Sequence, residues 1–537
     1  MENRTFLAIA LSLLVLFAYN SLLGNKKETQ SHDNITQQYD VKQDVKTPKT
    51  LPASSLPIPS AIPIEESIEF LDSPAVRIEL TSRGGKIKSF YEKKFDNTYL
   101  LSDILSLDGF QEVSFKGGKV NSQEAYYEYE NDEVKIGKRY SFAQDPYLLK
   151  FVLTIQNKRT TSTIGQSRLN LYTIDTSRLD NTKSPPTERT LIEYSVSTDK
   201  GIIRKNNAVQ FSPKDNNNVQ NKINWVGFRD RYLCTIFSPQ SEAAHVLIET
   251  IDKTKLDLKL ISNIDSIDPN STFSSKIDIY VGPQDLNLLK NYQKGFEEIV
   301  SFSSIGIINV FALFIYHTLE KLHKLIPLWG LCIIIVSLAI YLLLYPLTFK
   351  SMASMKKMQI LQPKIAKLRE QYSNNPQKLN TEIMELYKEN RVNPFGGCLP
   401  IFIQMPIFIG LYQVLWRSSF FKGSSFLWMK DLSQPDRLLT FSTELPLFGH
   451  ELNLLPLIMG VLIFIQQWMS TKSNVVTDPA QASQQKMMMY MVPGMVVFFF
   501  YHLASGLTIY FIIFYSMSIL TQSIMNKKFS KNVQSIK

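Results

Sequence analysis

Cysteine and charge are scarce in ways that narrow the classes of protein this chain belongs to. Of the 537 residues only three are cysteines, Cys234, Cys332 and Cys398. Their wide spacing excludes a disulfide framework and a cysteine-based zinc site. Asp, Glu, Lys and Arg are missing from five long stretches, residues 6–23, 325–349, 399–416, 452–471 and 487–525. These apolar runs exclude a fully soluble, a disordered or a fibrous protein.

The first apolar run predicts a membrane anchor. Crossing the ~30 Å hydrocarbon layer takes about 20 apolar residues, and FLAIALSLLVLFAYNSLL (6–23) has that length. A cleaved signal peptide is the alternative, but Ala18-Tyr19-Asn20 is a poor cleavage site. Residues 25–64 are polar and carry five prolines, Pro48, Pro52, Pro57, Pro59 and Pro63, which predicts a flexible or semi-rigid linker.

Residues 65–290 predict one large β-rich domain. Apolar residues alternate in several segments, for example at Leu149, Phe151, Leu153 and Ile155. Alternation with glycine and proline punctuation is typical of antiparallel sheet. We find no Ser-His-Asp spacing, no H-E-x-x-H motif and no phosphate loop there. Leu286, Leu289, Tyr292, Phe296 and Ile299 then follow helical spacing, which predicts a linking helix.

The distribution of basic residues decides which apolar segments cross the membrane. The loop 349–398 has nine Lys/Arg against four Glu, and an excess of Lys/Arg marks the cytoplasmic side. Both this loop and the basic tail fall inside if residues 299–317 lie along the interface as an amphipathic helix instead of crossing. That choice predicts six spans, near 6–24, 329–348, 399–416, 453–469, 487–503 and 507–525.

Polar residues in the predicted spans indicate a candidate groove. Ser337, Tyr341, Tyr345 and Thr348 share one face of the second span, and Gln404 and Gln466 lie in the inner halves of the third and fourth. Polar groups in hydrocarbon are costly, which favours a wet cavity open to the cytoplasm. Ordinary interhelical hydrogen bonds are the alternative explanation for each residue taken singly.

The basic loop 350–391 predicts a helical hairpin with an apolar seam and a basic exterior. A break at Ser373-Asn374-Asn375-Pro376 separates its two helices. Its candidate functional residues are Lys356, Lys357, Lys364, Lys367 and Arg369. Docking on the membrane surface is one hypothesis for this hairpin, and contact with a nascent chain or ribosomal RNA is the other.

Several longer motifs, in a fixed order, resemble the YidC membrane protein insertase family. They are Pro346-Leu347-Thr348, MKKMQILQPKIAKLREQY (355–372), NPFGGCLPIFIQMPIFIGLY (393–412), LWMKDLSQPD (427–436), Thr477-Asp478-Pro479 and SGLTIY (505–510). SRGGKI (82–87), WVGFRDRYL (225–233) and YVGP (280–283) match more loosely. The resemblance covers nearly the whole chain and is to the six-span form with a large periplasmic domain.

The resemblance implies the fold class and the division into domains. The expected fold is an α-helical polytopic membrane protein, with a five-helix insertase core, an N-terminal anchor helix and a mainly β sandwich periplasmic domain. The expected domains are the anchor 1–24, the linker 25–64, the β domain 65–290, linking and interfacial helices 291–328, the core 329–525 with its hairpin 350–391, and a basic cytoplasmic tail 526–537.

The resemblance also implies a function, insertion and folding of inner-membrane proteins through a hydrophilic groove. The implied partners are nascent membrane proteins, the Sec translocon (SecYEG, SecDF), the ribosome and the lipid bilayer. No cofactor, metal, small-molecule substrate or catalytic residue is expected, and both termini are expected in the cytoplasm. Tyr510 joins the six groove residues named above.

Two residues depart from the family pattern: Ala504, where the family commonly has proline, and Tyr341, which bears on the groove. The family's second span usually carries an arginine in the groove, and alignment on Pro346-Leu347-Thr348 places Tyr341 there. Our hypothesis from the sequence is that hydration of the groove, more than its charge, does the work here. Two other functions stay open at this point, a secondary transporter and a structural factor for envelope assembly. The transporter would need inverted repeats and a midplane site, and neither is evident.

Overall fold

The computed structural model describes residues 66–534 with short internal gaps. The gaps are residues 96, 99–100, 166–167, 178–191, 206–209, 241–244, 262–265, 374, 394–398, 446–448 and 473–478. The predicted anchor 1–24, the predicted linker 25–64 and Cys398 lie outside the described residues, as does the end of the predicted tail.

The described residues between 68 and 283 form twenty-one strands, and we call this region the β domain. They are β1 Ile68–Asp72, β2 Val76–Thr81, β3 Lys86–Glu92, β4 Asn97–Thr98, β5 Leu101–Ser102, β6 Ser106–Leu107, β7 Lys116–Asn121, β8 Glu124–Glu130, β9 Val134–Phe142, β10 Leu148–Asn157, β11 Ile164–Gly165, β12 Arg168–Asp175, β13 Glu193–Thr198, β14 Gly201–Lys205, β15 Asn217–Val219, β16 Ile223–Arg229, β17 Leu233–Pro239, β18 His245–Thr250, β19 Lys255–Ile261, β20 Ser266–Ile267 and β21 Thr272–Pro283. A short hairpin, β22 Leu439–Leu445 and β23 Gly449–Leu452, lies much later in the chain.

The β domain is a sandwich, as predicted. A nine-stranded sheet in the order β14-β13-β16-β17-β21-β10-β9-β8-β7 faces a six-stranded sheet built on β15-β18-β19-β12-β5, with β6 paired to β12. Tyr172 on β12 reaches across to β17, where its ring lies 5.3 Å from that of Phe237. The inward faces of both sheets bury one continuous apolar core, because alternate residues of each strand point the same way.

The strand alternation predicted from the sequence is confirmed in the register of the central strands. Phe151 on β10 pairs with Ile277 on β21, and both side chains are buried. The turn into β3 is made by Gly84 and Gly85, whose φ values of 75° and 51° lie in the left-handed region that favours glycine. Sequence periodicity and turn chemistry therefore suffice to predict these elements.

In the part of the chain that the structure describes, eight α-helices follow the β domain. They are α1 Leu286–Lys290, α2 Gly306–Leu325, α3 Trp329–Gln371, α4 Pro376–Glu389, α5 Leu399–Arg417, α6 Leu454–Lys472, α7 Pro479–Phe500 and α8 Ser505–Gln534. Helix α8 packs against α3, α5 and α6, α7 packs against α6, and α2 packs against α5 and α3. We call helices α2 to α8 the helical core, with a hairpin-side end at α4 and a domain-side end near the β domain.

The prediction of one linking helix over residues 286–299 is wrong. The chain forms α1, then a short 3₁₀ helix at Phe296–Ile299. Between them Gln293 and Gly295 take φ values of 54° and 70°, which a continuous right-handed helix does not allow. Leu286, Leu289, Phe296 and Ile299 are nevertheless buried. The spacing identified the buried face but not the break in the backbone.

Helix α3 joins two elements that the sequence analysis predicts as separate. It runs for 43 residues, from the second predicted span into the first half of the hairpin, through Pro346 and Pro363. At about 1.5 Å per residue this is about 65 Å, roughly twice the hydrocarbon thickness. The hairpin itself is present, since Leu361, Ile365 and Val392 form a buried seam against α4. Asn375 caps α4 by accepting a hydrogen bond from the Lys378 N–H at 3.1 Å.

Three helices among the residues searched are long and apolar enough to cross a membrane, within Trp329–Gln371, Leu454–Thr471 and Ser505–Lys527. A shorter apolar helix covers Gln485–Phe500. Helix α2 buries Ile308, Ala312 and Ile315 and exposes Val310 and Phe314. Helix α2 therefore has one apolar face packed in the protein and another facing outwards, and its interfacial placement stays a prediction.

Candidate functional site

Among the residues that the structure describes, hydrogen bonds between side chains connect α8 to α3, α5 and α6, and four of the six residues in the bonds given below are predicted groove residues. The Tyr341 hydroxyl on α3 bonds to Thr521 Oγ1 at 2.7 Å. The Gln404 amide on α5 donates to the Tyr510 hydroxyl. The Gln466 amide on α6 donates to Ser518 Oγ at 2.8 Å. The structure thus gives these polar groups partners within the bundle.

The other polar residues of the second predicted span contact residues of their own helix. The Ser337 hydroxyl donates to the Ile333 carbonyl at 2.6 Å, and the Thr348 hydroxyl donates to the Leu344 carbonyl at 3.0 Å. Tyr345 is half-buried. These contacts agree with the simpler alternative, local satisfaction of polar groups, and a contact of these residues with a substrate stays a prediction.

A cavity of about 360 Å³, with amide side chains among a mainly apolar lining, opens at the hairpin-side end of the core, between α3, α6, α7 and α8. Its lining residues are Met352, Met355, Lys356, Gln359, Ile463, Gln466, Gln467, Ser470, Val492, Tyr515, Gln522, Met525 and Asn526. Polar side chains come from α3, α6 and α8, so the cavity forms only when all three helices have packed.

The position of the cavity differs from that of the predicted groove. Of the seven predicted groove residues, Gln466 lies in its lining, whereas Tyr341 and Tyr510 are fully buried in the bundle above it. The cavity begins one turn beyond Thr348 along α3, at Met352. The cavity therefore lies about a turn nearer the hairpin than the predicted groove residues of α3, and a substrate groove at those residues stays a prediction.

Several lining residues were missed in the sequence analysis because they lie at the ends of the uncharged runs or just beyond them. Gln522 and Asn526 are one turn apart on α8, where the pattern reads as the end of a span. Gln359 lies one turn from Lys356 on α3. The Oε1 atom of Gln359 is buried and has no hydrogen-bond partner among the described residues. A search for amides at i and i+4 across the end of each apolar run would have found the first pair.

Lys356 gives the cavity a positive charge that the sequence analysis assigned to the surface of the hairpin. Among the described residues that line the cavity, it is the only charged side chain. Lys357, Lys364 and Lys367 are exposed, and Arg369 is half-buried. Of the five basic hairpin residues, Lys356 alone is therefore placed against the amides of α6 and α8.

The apolar helices and the attached β sandwich together define a multi-pass membrane protein with a large non-membrane domain. Family models match both parts of the chain. The model of the 60Kd inner membrane protein matches residues 321–532, and that of the YidC periplasmic domain matches residues 110–315.

Individual relatives agree with the family models. The membrane protein insertase YidC of Pelodictyon phaeoclathratiforme is 35% identical over 308 residues, 56% of this chain. That match covers 52% of the relative, so there the chain spans about half the relative's length. The protein of the same name from Citrifermentans bemidjiense is 30% identical over 98% of this chain and 99% of its own length. The chain belongs to the YidC membrane protein insertase family, whose members are multi-pass proteins of the bacterial inner membrane.

A solved structure is also similar along most of the chain. The crystal structure of an active YidC insertase with its first transmembrane domain resolved covers 97% of this chain and 99% of its own, at 19% identity and a TM-score of 0.38.

Proposed function

We propose that this protein inserts newly made proteins into the bacterial inner membrane, and that the amide side chains of the cavity receive the polar segment of the substrate. The observation that supports this is the position of the cavity, at one end of a bundle of apolar helices. Burying a polar segment in hydrocarbon costs several kcal/mol per unsatisfied group. A cavity lined by amides offers hydrogen bonds to that segment and shortens the apolar path that it has to cross.

The apolar part of the substrate supplies the driving force. A span that leaves water for lipid loses apolar contact with water, which needs no nucleotide. The outer surfaces of α7 and α8 carry exposed apolar residues, among them Tyr490, Phe498 and Ile524. These surfaces suit contact with lipid and with the apolar span of a substrate.

Orientation and partners follow as further proposals. We place the hairpin-side end, with its exposed lysines, in the cytoplasm, both termini on that side, and the β domain in the periplasm. The basic exterior of the hairpin supports contact with the ribosome, whose RNA is anionic. Cooperation with the Sec translocon is a prediction from the family resemblance.

Site-specific crosslinking tests the proposed function directly. A photo-crosslinker at position 522, in the cavity, is expected to capture a ribosome-bound nascent membrane protein. The matched control is position 524 on the same helix, where Ile524 is 57% exposed and does not line the cavity. Capture from 522 of the polar segment and from 524 of lipid or the apolar span supports the proposal. Equal labelling of the polar segment from both positions contradicts it.

The charge of the cavity is tested with two adjacent lysines. Lys356→Gln is expected to lower insertion of a substrate with an acidic translocated tail by about fivefold, since one partly exposed ion pair contributes about 1 kcal/mol. A substrate with a neutral tail is expected to insert as before. Lys357→Gln, which removes an exposed neighbour, is the matched control. Unchanged insertion of the acidic tail in Lys356→Gln would favour hydration over charge, the hypothesis drawn from Tyr341.

A further inference from the structure

The domain-side end of the core is covered by residues 418–437, which we call the domain-side cap. Its backbone carbonyls receive the first free N–H groups of α8. Ser505 N–H donates to the Gln434 carbonyl at 2.7 Å, and Gly506 N–H donates to the Leu432 carbonyl at 3.0 Å. Helix termini carry unsatisfied N–H groups, so the cap completes α8 and closes its end at the same time.

The cap completes α6 in a related way. The carboxylate of Asp436 accepts hydrogen bonds from Leu454 N–H at 2.8 Å and from the Trp428 indole at 3.1 Å. Asp436 is buried. The domain-side ends of two long helices are therefore fixed to one segment of chain, and any displacement of that segment uncovers both.

The turn between β16 and β17 in the β domain forms hydrogen bonds to this cap and to the end of α5. Arg231 donates from Nε to the Trp416 carbonyl at 2.7 Å and from Nη2 to the Ser433 carbonyl at 3.1 Å. The hydroxyl of Tyr232 bonds to Ser433 Oγ at 3.0 Å. The guanidinium also lies 5.1 Å from the centre of the Trp416 ring.

These contacts connect three parts of the protein that are far apart in the chain. Trp416 lies in the last turn of α5, whose carbonyls have no helical partner, and Ser433 lies in the cap. A planar guanidinium has donors in fixed and different directions, so a single Arg231 satisfies both carbonyls. Asp230 holds the turn itself by accepting from the N–H groups of Tyr232 and Leu233 at 2.8 and 2.7 Å.

A contact in the opposite direction comes from the cap. Lys422 donates to the Phe95 carbonyl in the β domain at 3.0 Å, and its ammonium lies 5.2 Å from the ring of Tyr232. Trp225, Cys234 and Ile236 of the β domain belong to the same apolar cluster as Met429 and Leu432 of the cap. The contact between the β domain and the cap is thus polar at its centre and apolar around it, and the apolar surround excludes water from the hydrogen bonds.

We propose that Arg231 and Tyr232 act as a latch that keeps the domain-side cap closed over the ends of α6 and α8. The β domain then has a task in the membrane part of the protein, since it keeps that end of the core sealed. Arg231 is a positioning residue in this role, because it acts through Trp416 and Ser433 and contacts no substrate. The latch is independent of the hairpin-side cavity.

A buried cysteine reports on the cap. Cys332 lies one turn into α3 and is fully buried. It belongs to the same apolar cluster as Met429 and Leu432 of the cap. The ring of Trp329 stacks on that of Phe420 at 4.2 Å, and Gly330 packs against the ring of Phe426. Opening of the cap would therefore expose the Cys332 thiol to water.

The experiment measures the rate at which a soluble maleimide labels Cys332. The full chain is purified into nanodiscs, with Cys234→Ala and Cys398→Ser so that one thiol remains. Arg231→Ala is expected to raise the labelling rate about tenfold, since an arginine with two buried acceptors is lost. Arg231→Lys keeps the charge but not the planar guanidinium that donates to both carbonyls, and is expected to raise the labelling rate as well. Arg139→Ala, which breaks an exposed ion pair with Glu124, is the control and is expected to leave it unchanged.

Two results would overturn the latch. One is labelling of Arg231→Ala at the parent rate in a sample whose melting temperature shows that it is folded. The other is equally fast labelling of Arg139→Ala, because general loosening would then explain the effect. If Arg231→Ala does not fold, Tyr232→Phe replaces it in the same labelling measurement, because it removes only the hydroxyl that bonds to Ser433. Labelling of Tyr232→Phe at the parent rate would then overturn the latch.

Discussion

Glu193→Ala is expected to destabilise the protein strongly, by about 3 to 5 kcal/mol. Glu193 lies at the start of β13 and forms ion pairs with both Arg229 and Arg417, the latter at 3.3 Å. The Glu193 and Arg229 side chains are 2% and 3% exposed. Without the carboxylate, two guanidinium groups stay buried without a counter-ion, and desolvation of an unpaired charge is the costly step.

The hydrogen bonds around this ion pair network do not replace the lost charge. Arg229 and Arg417 both donate to the Ser301 carbonyl, at 2.7 and 3.0 Å. A shared carbonyl supplies a dipole, which is weaker than a carboxylate for two cations. Arg417 ends α5 and Glu193 belongs to the β domain, so the network also fixes the domain to the core.

Thermal unfolding of the purified protein measures the effect. For a domain of this size the expected loss corresponds to a fall in melting temperature of roughly 6 to 20 °C. Glu124→Ala is the control, since it removes the 2.6 Å pair with Arg139, which is exposed, and is expected to cost about 1 kcal/mol or less. The triple change Glu193→Leu, Arg229→Met, Arg417→Met is expected to recover most of the loss, because no unpaired charge of this network is then buried. Equal melting temperatures for Glu193→Ala and Glu124→Ala would contradict a role for the buried charges.

The second large effect is a pH dependence that originates in the β domain. Lys138 on β9 is fully buried, and burial, with a smaller contribution from the nearby Lys86 ammonium, lowers its pKa from 10.5 to about 7. Its Nζ donates to the carbonyls of Gly84 and Leu105, each at 2.8 Å. A neutral amine has two N–H groups, which matches these two acceptors, so the neutral form fits the site.

The sign of the pH dependence follows from these pKa values. Between about pH 7 and 10.5 the unfolded chain holds a proton on Lys138 that the folded protein has released. Stability rises with pH wherever the unfolded state binds more protons, here by about 1.4 kcal/mol per pH unit. The destabilisation that comes from burying the Lys138 ammonium is complete below pH 7 and absent above pH 10.5. Lys138→Met removes this slope, although it also leaves two carbonyls without a donor.

Denaturant unfolding of the full protein at several pH values between 7 and 9.5 tests this prediction. The difference in unfolding free energy between the parent and Lys138→Met is the quantity to follow, since other groups titrate equally in both. We expect it to change by about 3 kcal/mol over this range. Lys119→Met, at an exposed position on β7, is the matched control, and its curve is expected to run parallel to that of the parent. A Lys138→Met curve parallel to the parent would show that the buried amine does not titrate in this range.

How far the sequence predicts this protein depends on the range of the interactions concerned. Strand alternation, the Gly84-Gly85 turn and the apolar seam of the hairpin are local patterns, and the structure confirms them. The break at Gln293 and Gly295 is also local, but a positive φ at glutamine has no signature in the sequence. The periodic apolar face over 286–299 therefore gave a correct core and a wrong helix.

The candidate site was predicted less well, for a physical reason. Polar residues on one helix face do not reveal whether their partner is water or another helix. Tyr341, Gln404 and Gln466 find partners on α8, 52 to 180 residues away in the chain. Lys356 belongs to a basic run, where a solvated surface is the natural expectation, and only the packing of α6 and α8 brings amides to it. Arg231 and Glu193 depend on contacts of the same long range.

The three hydrogen bonds to α8 also bear on how this protein itself is made. Helix α8 follows α3, α5 and α6 in the chain, and 180 residues separate Tyr341 from Thr521. At about 5 to 20 residues per second, translation needs roughly 10 to 40 s to cover that distance. During this interval the phenol of Tyr341 lies in the bilayer without its final partner, and the amides of Gln404 and Gln466 lack theirs for the shorter times that 106 and 52 residues take. Biogenesis of the protein thus poses, for its own chain, the difficulty that we propose it relieves for others.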